Sequence, residues 1–280
     1  MTRHPAEVLL ERWRSDLAAW AIPGEIRSQV SETPWVLPRQ VFARRAERQL
    51  RQPFGCSFER AREALQPPGE VLDVGAGAGA ACLPLAQLAT DITAVDRDEE
   101  MLRVLAETAA RNGTRVRTVT ASWPEAARQA GTADVVTCHH VLYNVADLEP
   151  FVAALTRRAR RRVVVEVTSR HPLVSLNPLW QRIHGLPRPE GPTAEDVLAI
   201  LTALGLRVAA EAWTRPATSD YASFADLVEV TRRRLCLPPE RAGDLADVMR
   251  ELGSDPDQPL DLGSSGRHLV TIWWPGSAQR

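Results

Sequence analysis

Apolar positions fall at helical spacing before residue 55 and in short β-branched runs from Glu70 onward. Leu10, Trp13, Leu17 and Trp20 stand 3, 4 and 3 apart, and Val41, Phe42, Ala46 and Leu50 repeat the stripe after Pro38. That pattern predicts two or three short helices, a helical cap over residues 1–55. Strand texture is found near Glu70–Val74, Ile92–Val95, Arg115–Thr120, Asp134–Cys138, Val163–Val167, Leu206–Ala212 and His268–Trp273. Helical segments separate these seven runs, the alternation that builds a doubly wound α/β domain around a mostly parallel sheet, here over residues 56–280. End signals support the helices between. Asp98 can cap one that closes at Asn112-Gly113, Asp147 starts another with Pro150 in its first turn, and Thr193-Ala-Glu-Asp196 reads as a capping box on a third ending at Gly205. Two stretches interrupt the alternation, a proline-rich one at about 171–192 and a longer one at about 214–266, and both read as insertions near the sheet.

The first strand, Val71-Leu72-Asp73-Val74, runs into Gly75-Ala76-Gly77-Ala78-Gly79-Ala80, with a helix expected directly after it. A turn without side chains at the carboxyl end of the first parallel strand lets a ligand approach the backbone closely, and the start of a helix offers free N–H groups. The next strand closes on Asp96, at the distance where a carboxylate meets ribose hydroxyls. Together they point to a cofactor that carries adenosine. The spacing Gly75-x-Gly77-x-x-Ala80 also satisfies the relaxed dinucleotide pattern, which keeps an NAD-dependent oxidoreductase as an alternative.

At these residues the chain resembles the class I S-adenosylmethionine-dependent methyltransferases. The resemblance rests on Val71 through Gly79, on Ala94-Val-Asp96-Arg97-Asp98-Glu-Glu-Met101-Leu102, and on Ala133 through Asn144 after the fourth strand, and it covers roughly Phe58 to Trp274. It implies an antiparallel last strand, Arg267 to Trp274, lying beside the sixth. It implies S-adenosylmethionine as cofactor, with Asp73 supporting the glycine loop and the methionine amino end. Gly75, Ala76, Gly77 and Gly79 would lie against the methionine moiety, and Asp96 would take the ribose hydroxyls. Arg97 would cover the adenine with its stem. Ser122 and Trp123 stand where the family often has an aspartate near the adenine amine; serine can still hydrogen-bond there, while Trp123 either walls the adenine pocket or covers the sheet edge. Met101 reads as helix core.

Methyl transfer is an in-line displacement, so the protein must align the nucleophile, exclude water, and supply a base only if the acceptor arrives protonated. The fourth strand ends in Cys138-His139-His140-Val-Leu-Tyr143-Asn144, at the same sheet edge as the glycine loop. His139, His140 and Tyr143 are therefore the candidates for base or orienting group, and His139 also for cofactor contact. The alternative is that adjacent histidines diverge, one to the cofactor and one into packing, with no proton moved. Glu166 sits in the apolar fifth strand, where a carboxylate needs the cleft or a partner. His171, Asn177, Trp180 and His184 lie in an insertion that should fold over this edge, and Trp13, Trp20 and Trp35 could close the pocket from the other side.

Composition narrows the chemistry. All 34 basic residues are arginine, none lysine, which removes Schiff-base catalysis, a pyridoxal phosphate anchor, a P-loop lysine and a lysine-containing ribose-methylating tetrad. The net charge of −1 gives no field to gather polyanions, and the Asn/Asp-Pro-Pro-Tyr motif is absent, so nucleic acid and protein lose ground to a small-molecule acceptor. The run Arg157-Arg158-Ala-Arg160-Arg161-Arg162 precedes the fifth strand, away from the cofactor edge, and reads as a solvated helix end, as do Arg232 to Arg234. Cys56, Cys82, Cys138 and Cys236 are scattered, without disulfide or metal spacing, and reduced thiols in a cytoplasmic protein are expected. No apolar stretch would span a membrane and the first residues lack a signal-peptide core. The reading is a methyltransferase for a small molecule, with a non-catalytic protein that binds S-adenosylmethionine or S-adenosylhomocysteine (AdoHcy) as the other alternative.

Overall fold

In a computed structural model, residues 4–35, 37–260 and 267–277 are described. The chain opens with α1 (Pro5–Ala18), α2 (Gly24–Arg27), α3 (Arg39–Arg51) and α4 (Cys56–Ala64). The alternating part then runs β1 (Gly69–Val74), β2 (Ala89–Asp96), α5 (Glu99–Arg111), β3 (Val116–Thr120), α6 (Ala127–Ala130), β4 (Ala133–His139), α7 (Leu148–Arg158) and β5 (Ala159–Thr168). After it come α8 (Asn177–His184), α9 (Ala194–Ala203), β6 (Ala209–Thr214), α10 (Phe224–Arg234), α11 (Ala242–Glu251) and β7 (His268–Pro275). The seven strands make one sheet in the order β3-β2-β1-β4-β5-β7-β6, parallel except for β7, which is antiparallel to both neighbours. The order reverses between β1 and β4, and the carboxyl ends of those two strands flank the crevice where such sheets bind ligands.

Successive residues of a strand face opposite sides, and each side of this sheet carries its own core. Val136, Val163 and Val165 pack with Phe151 and Leu155 of α7 and Val197 and Ile200 of α9; α1 joins this side through Leu10 and Trp13. Val71, Val135 and Val164 pack on the other side with Ala61 of α4 and Leu102 and Leu105 of α5. Trp13 and Trp274 are each 1% exposed, and both place their indole N–H on a partner, Trp13 on the Val145 carbonyl at 2.8 Å and Trp274 on Thr156 Oγ1 at 2.9 Å. A buried tryptophan contributes apolar area and needs such a partner for its N–H.

A further apolar core joins the N-terminal residues to both insertions. Ile26, Val30, Leu37 and Val41 pack with Leu179 and Trp180 of α8, Leu227 and Val228 of α10, and Leu245 and Met249 of α11. The N-terminal residues and the 171–192 insertion, expected to close the pocket from two sides, share one apolar core with the 214–266 insertion. The last six residues of the 214–266 insertion lie outside the described residues.

Several local expectations are corrected. No α-helix succeeds the glycine loop: the chain makes turns and a single 3₁₀ turn at Leu83–Leu85, with Pro84 inside it and no amide N–H there to continue a helix. The sixth strand begins at Ala209, three residues after Leu206, because Leu206 and Val208 pack with the core that holds α9. Asp147 makes no side-chain cap bond and instead accepts from Arg14 Nε at 2.9 Å. Arg160, Arg161 and Arg162 belong to β5, where Arg160 pairs with Glu70 at 2.6 Å and Asp134 at 2.9 Å, and Arg161 with Asp134 at 3.1 Å. Arg232 is 1% exposed and held by Glu32 and Glu229, and Arg234 is 9% exposed, so these too are not a solvated helix end. The capping box of Thr193 with Asp196 and the cap of α5 by Asp98 form as expected.

Candidate active site

One cavity of about 990 Å³ opens over the carboxyl ends of β1, β2, β4 and β5, with the cap above it. Single-ligand sites run from about 300 to about 1,000 Å³, so this space lies at the upper end of that range. Every residue expected to hold a cofactor lines it except Gly79, namely Asp73, Gly75, Ala76, Gly77, Asp96, Arg97, Ser122, Trp123 and His139, as do His140 and Tyr143. Gly79 turns instead beneath Leu83 and Leu105, which a Cβ there would meet at 2.8 and 2.9 Å.

The glycine loop is built on backbone. Gly75 and Ala76 both donate their N–H to the Val95 carbonyl, which ties the loop to β2. Gly75 has φ +72°, and a Cβ on it would stand 2.3 Å from Val141 Cγ2, so only glycine fits. Gly77 has φ +52°, and a Cβ there meets nothing closer than Met101 Cε at 3.5 Å, so its bare surface is left to the cavity. Asp96 locks the turn, accepting from Gly77 N–H at 2.8 Å and Asp98 N–H at 2.9 Å. Each of its oxygens keeps a further lone pair for a ligand hydroxyl.

Asp73 is 1% exposed; its Oδ1 accepts from Thr137 Oγ1 at 2.8 Å, while Oδ2 is buried without a hydrogen-bond partner. Burial pushes its carboxyl up, against the pull of His139 and Thr137. His139 carries a second orphan, a buried Nε2 with no partner. Two unmatched polar atoms beside a bare glycine loop are costly unless a ligand completes them. An ammonium-bearing ligand would satisfy Asp73 Oδ2, so the residues present fit the methionine end of S-adenosylmethionine.

At the ends of β4 and β5 a polar chain crosses the cavity floor. His140 sits in left-handed backbone at φ +60°, uncommon outside glycine and frequent at functional sites, and its N–H donates to the Glu166 carbonyl at 2.8 Å. Its Nδ1 lies 2.9 Å from Tyr143 Oη and its Nε2 2.9 Å from Glu166 Oε1. Glu166 also accepts from Ser57 Oγ at 2.6 Å and Arg215 Nη2 at 2.8 Å. Arg215 Nη2 stands 3.1 Å from His140 Nε2 as well, but that nitrogen cannot both give and accept. A carboxylate only accepts, so the consistent tautomer carries its proton on Nε2, donating to Glu166, with Nδ1 accepting from Tyr143. Burial works against charge on Glu166, yet His140, His139 and Arg215 outweigh it and hold this carboxyl well below the usual range. Burial likewise pushes the imidazoles of His139 and His140 down and the Tyr143 phenol up. Above Tyr143, His171 meets it edge-on and stacks on Trp20 at 4.1 Å between centroids. Trp123 lines the cavity with its ring while its N–H donates to the Phe151 carbonyl at 3.2 Å.

Ser57, Thr137 and Arg215 carry parts of this site that sequence reading missed. Thr137 had a signal, a polar residue inside the apolar β4, of the kind that marked Glu166. Ser57 and Arg215 had none, since a serine early in a helix and an arginine at an insertion border are common. Arg45 and Arg48 also line the cavity, and with Phe42 and Gln49 they recur three to four apart along α3.

A seven-stranded sheet of this order, with its glycine loop and acidic strand ends facing one crevice, defines a class I, Rossmann-like methyltransferase fold. Residues 71–162, about a third of the chain, match a family described as "Methyltransferase domain". The chain is 36% identical over 93 residues to a ubiquinone biosynthesis O-methyltransferase of Sinorhizobium medicae, covering 32% of this chain and 36% of that protein. A protein of the same description from Xanthomonas axonopodis pv. citri is 36% identical over 92 residues, covering 32% and 38%. The match thus spans little more than a third of either relative. Among solved structures, magnesium protoporphyrin IX methyltransferase of Synechocystis with bound SAH aligns at a TM-score of 0.50 and 15% identity, over 98% of this chain and 100% of that one. The YcgJ protein of Bacillus subtilis aligns at 0.51 and 18%, over 79% and 97%. At these identities the likeness is one of fold.

Proposed function

We propose that the chain transfers a methyl group from S-adenosylmethionine to a small-molecule acceptor held under the cap. The observation that carries this reading is the cavity itself: the orphaned Asp73 Oδ2, the bare Gly77 and the carboxylate of Asp96 face the same space as the chain Tyr143–His140–Glu166. Asp73 would hold the methionine amino end, Gly75 to Gly77 its backbone, and Asp96 the ribose hydroxyls, with Arg97, Ser122 and Trp123 about the adenine. When bound, S-adenosylmethionine supplies an electrophilic methyl on a sulfonium, and no metal is needed for that chemistry.

The acceptor needs a base only if it carries a proton. A hydroxyl that reaches His140 Nδ1, in place of Tyr143 or through it, passes its proton to that atom. Glu166 then offsets the charge on the imidazolium and keeps the ring oriented, and Arg215 and Ser57 keep Glu166 ionised. Tyr143, its phenol pushed up by burial, stays protonated and serves to orient. The cap excludes water from the same space.

Thermal shift with S-adenosylmethionine, AdoHcy and NADH tests the cofactor. A ligand at about 100 times its dissociation constant adds about 2.7 kcal/mol of stability. The expected result is protection by the first two, lost in Asp96→Ala; protection by NADH alone would overturn the reading in favour of an oxidoreductase. Labelled-methyl transfer to a set of small hydroxylated and amino acceptors tests catalysis, and binding with no transfer to any of them would favour a non-catalytic binder.

A further inference from the structure

One part of the cavity wall, built from α3 and the segment after β6, collects guanidinium groups in excess of carboxylates. Arg45 and Arg48 of α3 share one acid, Asp220, with Nε and Nη2 at 2.6 Å from its two oxygens. Arg215, after β6, holds Glu166. Three cations therefore face two carboxylates. Arg45 and Arg215 line the same cavity as Tyr143. Two of the N–H groups, Arg45 Nη2 and Arg215 Nε, are buried with no hydrogen-bond partner. Buried donors of this kind are completed by an acceptor atom from a ligand, and a carboxylate is the planar anion a guanidinium fits best.

The remaining wall is aromatic. Trp20 stacks on His171, Tyr143 meets His171 edge-on, and Phe42 and Trp35 complete the surface. Flat rings suit a planar guest.

Resting on the methyltransferase reading, we infer that the acceptor is a planar, aromatic small molecule bearing a carboxylate. The carboxylate docks on Arg45 and Arg215, and the ring lies between Trp20, Phe42 and Tyr143. Docking there fixes the acceptor by its charged end close to His140, whose Nε2 stands 3.1 Å from Arg215 Nη2, so the hydroxyl that meets His140 is one near the carboxylate.

Titration calorimetry on the protein saturated with AdoHcy tests this, with a hydroxynaphthoate and its carboxamide as probes of equal shape and different charge. The carboxylate should bind wild type roughly tenfold tighter than the amide, about 1.4 kcal/mol, with an advantage that shrinks as salt is raised. In Arg45→Gln and in Arg215→Gln the two probes should bind within about twofold of one another, with the affinity for AdoHcy unchanged. Equal binding of the two probes to wild type, or no binding of the carboxylate, would overturn the inference while leaving the methyltransferase reading intact. Loss of AdoHcy binding in both arginine variants would overturn it differently, by assigning the cluster to the cofactor's own carboxylate. Failure of wild type to bind AdoHcy at all would remove the underlying reading instead. The wild-type comparison needs no variant to fold.

Discussion

His140 combines a left-handed backbone with two well-placed ring nitrogens, and its neighbours decide what it can do. Exchange to Gln keeps a polar group there but removes the basic Nδ1, so with any hydroxylated acceptor found, kcat should fall by about 10² to about 10⁴ while AdoHcy affinity holds. Protonation acts on stability as well. Burial, helped by Arg188 and Arg234, pushes His171 down to about 3, and burial lowers His139 and His140. A group whose folded pKa is depressed binds its proton more readily when unfolded, so stability is intact above about pH 6.5 and falls as pH drops toward 3. The slope from His171 alone is at most about 1.4 kcal/mol per pH unit. Melting scans from pH 7 to pH 5 should therefore show a falling Tm, and a shallower fall in His171→Asn. At this scale Asp73 and Asp96, the acids proposed to face the cofactor, stood out because Asp96 ends β2 and Asp73 is one residue short of the end of β1. The partners of Glu166 did not, because Ser57 and Arg215 come from segments remote in sequence.

At the scale of elements, the sheet was readable from β-branched runs and capping signals, as the Thr193–Asp196 box shows. The glycine loop was readable too, but the segment between it and β2 was not. Pro84 allows only a short 3₁₀ turn, so the loop is held by its backbone bonds to β2 and by Asp96 rather than by a helix. Two exchanges separate its structural from its binding role. Gly75→Ala drives a Cβ into Val141 and should cost about 1 to about 3 kcal/mol in denaturant unfolding. Gly77→Ala meets only Met101 Cε at 3.5 Å, an ordinary contact, and its backbone penalty alone, about 1 kcal/mol, should leave a folded protein with weakened AdoHcy binding. The arginine runs were misread for a reason of the same kind. Charge alone does not show whether acids from another element lie opposite, as Glu70 and Asp134 do for Arg160.

Over the whole molecule, the sheet cores and the cap core are separate clusters, with the cavity between them. Regions that share few buried contacts open independently. Amides of α8, α10 and α11 should exchange hydrogen faster than those of β1, β4 and β5, and a ligand that bridges the cavity should slow the cap more than the sheet. Uniform protection across both would count against this division. Among the described residues no helix is long and apolar enough to cross a membrane. That N-terminal residues and both insertions share one core was not legible, because the stripe on α3 and the apolar positions of α8 and α10 are amphipathic patterns that name no partner.

The position of β7 sets an order of events during synthesis. It is the last of the seven strands to be made, yet it lies between β5 and β6, bonding both from Arg162 to Thr168 and from Ala209 to Thr214. At roughly 5 to 20 residues per second, β5 emerges from the ribosome seconds before the strand that will cover its edge. For that interval an apolar strand presents an open row of backbone donors and acceptors, a template for pairing with another nascent chain. The growing polypeptide is thus most exposed to misassembly between the making of residues 168 and 275, while β5 still lacks the neighbour that closes its edge.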